Sequence, residues 1–183
     1  MYKKHGSWRG VLFIRRLYDR VNLYNEQYSN QLLTRDMILL PSLGDKSGIH
    51  GVLIVQARVG STRLPGKSMM DLAGEPLVGR VLERVLRCQS VDDIVLAIPR
   101  TDENDALAEL AEQYGVNLYR GSEDNLVDRY YQAAKIFNAT IVGRLPADNP
   151  VPESCEIDRI IEYHMQSNNA FSSNLSEVYG SGY

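Results

Sequence analysis

The stretch "GVLIVQARVGSTRLPGK", residues 51–67, decides how this chain is read. Its first half is a short, continuous apolar run, the pattern of a parallel strand buried on both faces. Its second half places Arg58, Arg63 and Lys67 on a loop with Gly60, Ser61, Thr62 and Gly66 and no acidic residue. Cations held this close repel one another, so the arrangement is unfavourable unless an anion sits among them. Arg and Lys, with main-chain N–H groups that glycine lets a ligand approach, are the groups proteins use to hold polyphosphates.

The pattern continues outward from this stretch as alternating strands and helices. "PLVGRVLERVLRC" (76–88) sets Leu77, Val81, Leu82, Val85 and Leu86 on one helical stripe, with Pro76 in the first turn. Strands are expected at 93–99, 116–120, 140–145 and 169–174. Helices are expected at 101–115, opened by Thr101 or Asp102 and closed by Gly115, at 122–137 and at 155–166. Strands alternating with helices of this length argue for an α/β fold with a mostly parallel, doubly wound sheet covered on both faces. In such sheets ligands bind at the carboxyl ends of strands, where strand order reverses. The loop after 52–57 and the loop "PADNP" (146–150) after 140–145 can then face one pocket.

Composition sets the wider frame. The chain has 183 residues, 44% hydrophobic and 23% charged, enough for one ordinary domain with an appendage. No run approaches the ~18 apolar residues that span a bilayer, so a cytoplasmic protein is expected. Cys88 and Cys155 lack metal-ligand spacing and read by residue habit as buried small hydrophobes in a reducing compartment. The net charge of −3 is uneven, since residues 1–20 carry six Lys or Arg against Asp19 alone. A basic arm of this kind can contact nucleic acid, but no helix-turn-helix, aromatic RNA platform or zinc module stands beside it, and nucleic acid is disfavoured as a partner.

The phosphate-binding motifs with the best-known spacing are absent. Gly60 and Gly66 are separated by five residues, so GxxxxGK[ST] fails although Lys67 and Ser68 follow, and GxGxxG is missing. Asp148, at a strand end and stiffened by Pro146 and Pro150, suits Mg²⁺, which takes one or two carboxylates plus substrate phosphates. Alone, an Asp in a turn is more often a turn-former. With a cationic loop in the same fold, the metal reading becomes the better one.

The segments "VLIVQARVGSTRLPGKSMMDLAGEPLVGRVLERV" (52–85), "IVLAIP" (94–99), "RGSEDNLVDRYYQAA" (120–134) and "GRLPADNPV" (143–151) resemble the cytidylyltransferase family of CMP-sugar synthetases. The resemblance is to the spore coat polysaccharide branch, similar to the enzymes that activate 3-deoxy-manno-octulosonate and acylneuraminates. It implies a Rossmann-like nucleotidyltransferase fold, CTP as cosubstrate with Mg²⁺, a small acidic sugar as acceptor, and a possible homodimer. It also implies site residues. Arg58 and Lys67 would grip the CTP phosphates, and Asp148 would hold the metal. Ala57, Gly60, Ser61 and Arg63 would shape the loop, Ala97, Ile98 and Pro99 would form the cytosine pocket, and Asp128 and Arg129 would lie beside the nucleotide.

The resemblance covers about residues 51–177, and the family runs beyond the length found here. A nucleotide-binding domain at 51–183, incomplete at its carboxyl end, is therefore expected, with a catalytically inactive nucleotide-binding homologue as the alternative. Residues 1–50 read as a basic extension or linker. Their elements "RRLY", "LLTRDMI" and "GIH" faintly resemble the antifreeze-like domain of sialic acid synthases.

Overall fold

A computed structural model of the chain describes residues 48–61, 63–167 and 169–174, together with the backbone of 12–15. Six strands form one sheet: β1 Leu12–Arg15, β2 Gly51–Gln56, β3 Asp93–Pro99, β4 Asn117–Gly121, β5 Ile141–Pro146 and β6 Phe171–Ser173. Their order across the sheet is β4-β3-β2-β5-β1-β6. β2 lies between β3 and β5, parallel to both, with Val52 opposite Asp93 on one side and Val142 on the other. β4 continues the parallel set beyond β3, whereas β1 runs antiparallel to β5 and β6.

Four helices cover this sheet: α1 Leu77–Val85, α2 Asp105–Tyr114, α3 Leu126–Ile136 and α4 Ser154–Gln166. Successive strand residues point to opposite faces, and the core divides accordingly. Leu53 and Val55 of β2 join Leu96, Ile98, Ile141 and Leu145 under α1, α2 and α4. Val52 and Ile54 join Val95, Ala97 and Val142 under α3, whose Ala133 and Ala134 let that helix approach closely. The expected α/β architecture with helices on both faces is the one observed. Between β4 and β5 the chain changes sides of β2, so the order reverses at the β2/β5 junction.

The differences from the expected elements have local causes. The helix expected from residue 101 begins at Asp105, after a 3₁₀ turn at Asp102–Asn104, because the Asn104 side chain turns inward to bond elsewhere. The helix expected from 122 begins at Leu126. Asn125 is extended and caps it, accepting the Asp128 N–H at 2.9 Å, while the Ser122 hydroxyl takes the Asn125 N–H. A division at residue 50 does not separate the sheet, because Leu12–Arg15 lies within it. The rest of residues 1–47, including most of the basic arm and the antifreeze-like element "LLTRDMI", lies outside the described residues, whereas "GIH" (48–50) leads into β2.

The cysteines correct a second expectation. Cys155 is exposed on α4 and Cys88 only half-buried after α1. Partial burial pushes the Cys88 thiol up to about 12, and the Asp158 carboxylate acts in the same direction. At pH 8 an alkylating reagent should therefore modify Cys155 well before Cys88, as followed by peptide mass spectrometry; equal rates would contradict this placement. Leu53, without solvent exposure at the centre of the larger core, gives a stability test. Leu53→Ala should cost about 2–5 kcal/mol in urea unfolding, with the midpoint lowered and the slope unchanged.

Candidate active site

The site is built where β2, β3 and β5 end together. Past the end of β2, the Ala57 N–H still donates to the Ala97 carbonyl at 3.3 Å, and the Ala147 N–H donates to the Gln56 carbonyl at 2.9 Å. Three buried alanines, Ala57, Ala97 and Ala147, thus mark the junction of the strand ends at the reversal of strand order. Small side chains leave room above them for a ligand, in the place where open α/β sheets bind one.

The loop leaving β2 folds back on itself. Its Ser61 and Gly66 N–H groups both donate to the Val59 carbonyl, at 2.8 and 3.1 Å. Gly66 has φ 69°, a left-handed conformation that disfavours other residues, and it leads into a 3₁₀ turn at Lys67–Met69. That turn aims the Lys67 ammonium across the crevice, where Nζ donates to the main-chain carbonyl of Asp148 at 3.2 Å. The two loops expected to face one pocket therefore meet.

Charge is distributed unevenly around this junction. Elsewhere on the molecule Arg80, Arg84, Arg120 and Arg159 each pair with a carboxylate. Among the described residues, Arg58, Arg63 and Lys67 form no ion pair. Arg129 adds a fourth cation from α3. It is 2% exposed, its Nη1 donates to the Ser122 carbonyl at 2.7 Å, and its Nε has no hydrogen-bond partner among the described residues. Burial lowers the Arg129 pKa from the ordinary arginine value, and the positive charge of Arg58 lowers it further, so the two guanidinium groups feel each other. Removing a cation from water with incomplete compensation is unfavourable, and an anion between Arg58 and Arg129 would relieve it.

The expected residues do not all occupy equivalent positions. Arg58, Lys67, Arg129 and Asp148 gather at the crevice. Gly60 and Arg63 are exposed on the loop, Ser61 is half-buried and takes the Leu64 N–H, and Thr62 lies outside the described residues. Ala97 and Ile98 are fully buried in opposite cores, which leaves the backbone at the end of β3 to face a ligand there. Asp128 accepts from Gln132 and lines a shallow groove of about 600 Å³ with Tyr119 and Glu123, one helical step from Arg129 but on a different side. Its charge contributes, after burial, to raising the Tyr119 pKa.

Asp148 ends β5 with its Oδ1 shielded from solvent, beside the Lys67 contact. Among the described residues no group of three or more His, Cys, Asp or Glu could hold a metal ion, and Asp148 is the carboxylate that the loop after β5 brings beside Lys67. That donor set fits a Mg²⁺ whose other ligands are phosphate oxygens and water. Sequence reading did not find two further residues, Ser68 and Asn104, which are buried and bonded to the loop. In the polar string "TDEND" nothing marks Asn104 as the residue that turns inward.

The profile of the cytidylyltransferase family matches residues 52–182. The chain belongs to this family. Proteins similar to it include the spore coat polysaccharide biosynthesis protein SpsF of Bacillus subtilis, 29% identical over 70% of this chain and 55% of that one. A 3-deoxy-manno-octulosonate cytidylyltransferase of Geobacter sulfurreducens is 36% identical over 59% of this chain and 42% of its own length. Among solved structures, a cytidylyltransferase from Leptospira borgpetersenii superposes with a TM-score of 0.61 at 33% identity, covering 63% of this chain and 48% of that one. The chain spans about half the length of the curated relatives it matches.

Gly121, at the end of β4, tests how Arg129 is held. A Cβ there would lie 2.6 Å from the Tyr119 ring and 2.9 Å from Cγ of Arg129. Gly121→Ala should push the buried arginine stem aside and cost about 1–3 kcal/mol in urea unfolding. An unchanged midpoint would show that Arg129 is not packed against this strand.

Proposed function

We propose that this cytidylyltransferase uses CTP to transfer a cytidylyl group to a hydroxyl of a small acidic sugar, making a CMP-sugar for surface polysaccharide. The observation that carries the reading is the Lys67 ammonium bonded to the Asp148 main-chain carbonyl across the strand-order reversal, from a loop whose Arg58, Arg63 and Lys67 form no ion pair among the described residues. The names of the relatives support the nucleotide and the class of acceptor. Among the described residues no helix is long and apolar enough to cross a membrane.

In this reading the acceptor oxygen forms a bond to the α-phosphorus of CTP, the bond from that phosphorus to the bridging oxygen breaks, and pyrophosphate departs. The acceptor hydroxyl proton passes to solvent. Arg58 and Lys67 hold the phosphates and stabilise charge that develops on their oxygens, a contribution that grows in a crevice partly shielded from water. Asp148 would hold a Mg²⁺ whose charge offsets that of the phosphates. Ala57, Gly60, Ser61 and Arg63 set the loop's shape, the end of β3 at Ala97, Ile98 and Pro99 presents its backbone to the base, and Asp128 and Arg129 flank the nucleotide. Positioning and electrostatics supply most of the acceleration in this type of transfer.

A second reading, nucleotide binding without turnover, is favoured by one observation. Among the described residues no group of three or more His, Cys, Asp or Glu stands ready to hold a metal ion. Titration calorimetry with CTP, with and without Mg²⁺, and with UTP and ATP as controls, tests both readings. Selective, Mg²⁺-assisted CTP binding that weakens by about 100-fold or more in Lys67→Met is expected, since removing a charge-assisted contact to phosphate costs about 3 kcal/mol. Pyrophosphate release with an acidic sugar would establish transfer, and CTP binding without release would select the second reading. No nucleotide binding at all would reject both.

A further inference from the structure

The Arg58–Val59 peptide group is held at both ends by buried side chains from two different elements. The Ser68 hydroxyl, 9% exposed, donates to the Arg58 carbonyl at 2.7 Å. The Val59 N–H donates to Oδ1 of Asn104, 0% exposed, at 2.9 Å. Asn104 is itself oriented, because its Nδ2 donates to the Thr101 hydroxyl at 2.8 Å. The Val59 N–H can only donate, so the amide oxygen must face the loop, which leaves the nitrogen for the Thr101 hydroxyl.

We propose that Ser68 and Asn104 form a peptide clamp that positions Arg58 for phosphate binding, a role for this pair that rests on the CTP reading of the site. A peptide group is planar, so fixing its carbonyl and its N–H together fixes the rotation of the whole plane. The Arg58 Cα belongs to that plane, so the clamp fixes the point from which its side chain leaves the loop. Without the clamp an exposed arginine on a glycine-bounded loop would sample many directions and lose affinity to ordering. The two clamp residues also link elements with separate tasks. Ser68 directly follows Lys67 in the 3₁₀ turn, and Asn104 ends the turn that follows β3. Arg58, Lys67 and the strand end beside the base site are thereby set relative to one another by two neutral hydrogen bonds, which add no charge to compete with the phosphates.

A double-mutant cycle on Mg²⁺–CTP binding tests the clamp, with thermal unfolding of each variant alongside. Ser68→Ala removes only one oxygen and should keep the fold, while Asn104→Leu removes both bonds of the amide. Each should weaken CTP binding by about 10-fold, the size of one lost buried hydrogen bond. Ser68→Thr, which keeps the hydroxyl, should restore binding to within about threefold of the unmodified protein. In an Arg58→Met background, Ser68→Ala should weaken binding no further, because the residue being positioned is gone. Additive losses, or full CTP affinity in Ser68→Ala, would overturn the clamp. Inorganic tripolyphosphate serves as a second probe. If the unmodified protein binds it but not CTP, and the same non-additivity appears, the CTP reading fails and the clamp stands; binding of neither overturns both.

Discussion

Everything in this fold follows from burying β2 completely. Its N–H and C=O groups are shared between β3 and β5, its even residues pack under α3, and its odd residues pack under α1, α2 and α4. A strand enclosed on four sides can meet solvent only at its ends. The carboxyl end is where the sheet changes its order of strands, and there the neighbouring connections leave in opposite directions and open a crevice. The cationic loop sits at that crevice because no other part of a central parallel strand is accessible.

Among the described residues the loop cations Arg58, Arg63 and Lys67 form no ion pair, as Arg87, Arg100, Lys135 and Arg144 do not, while four other arginines do. Arg80, Arg84, Arg120 and Arg159 are matched with carboxylates, as solvated faces usually are. At the crevice the balance shifts to Arg58, Lys67 and Arg129, the last of them buried. A folded protein keeps such repulsion only where surrounding structure holds the groups in place. Here the holding is done by neutral contacts: the clamp on the Arg58–Val59 peptide, the reach of Lys67 to the Asp148 carbonyl, and the packing of the Arg129 stem over Gly121.

The far side of β5 was less legible. A strand from near the amino terminus, Leu12–Arg15, is inserted between β5 and β6, although its four residues give no periodicity long enough to read. Its partners lie more than a hundred residues away, and pairing at such separation depends on an available edge and not on local pattern. The same limit applies to Cys88 and Cys155. Residue habit places both inside, but α4 turns Cys155 to solvent because its inward stripe is already filled by Ile157, Ile160 and Ile161.

By itself the sequence determined the α/β class, the strand that anchors the sheet, and the residues of the phosphate loop. Each of these is a short-range signal: apolar runs of strand length, stripes at helical spacing, and three cations beside glycines without an acid. The family resemblance added Asp128 and Arg129, which local pattern leaves as a helical acid–base pair, and agreed with the metal reading of Asp148. Tertiary structure alone decided which cations converge. It buried Arg129 against Gly121, turned Asp128 toward the groove lined by Tyr119 and Glu123, and turned Asn104 inward to grip a peptide 45 residues earlier in the chain. The physical reason is that such roles depend on burial and on the orientation of one peptide plane, and both are set only when distant strands close around it.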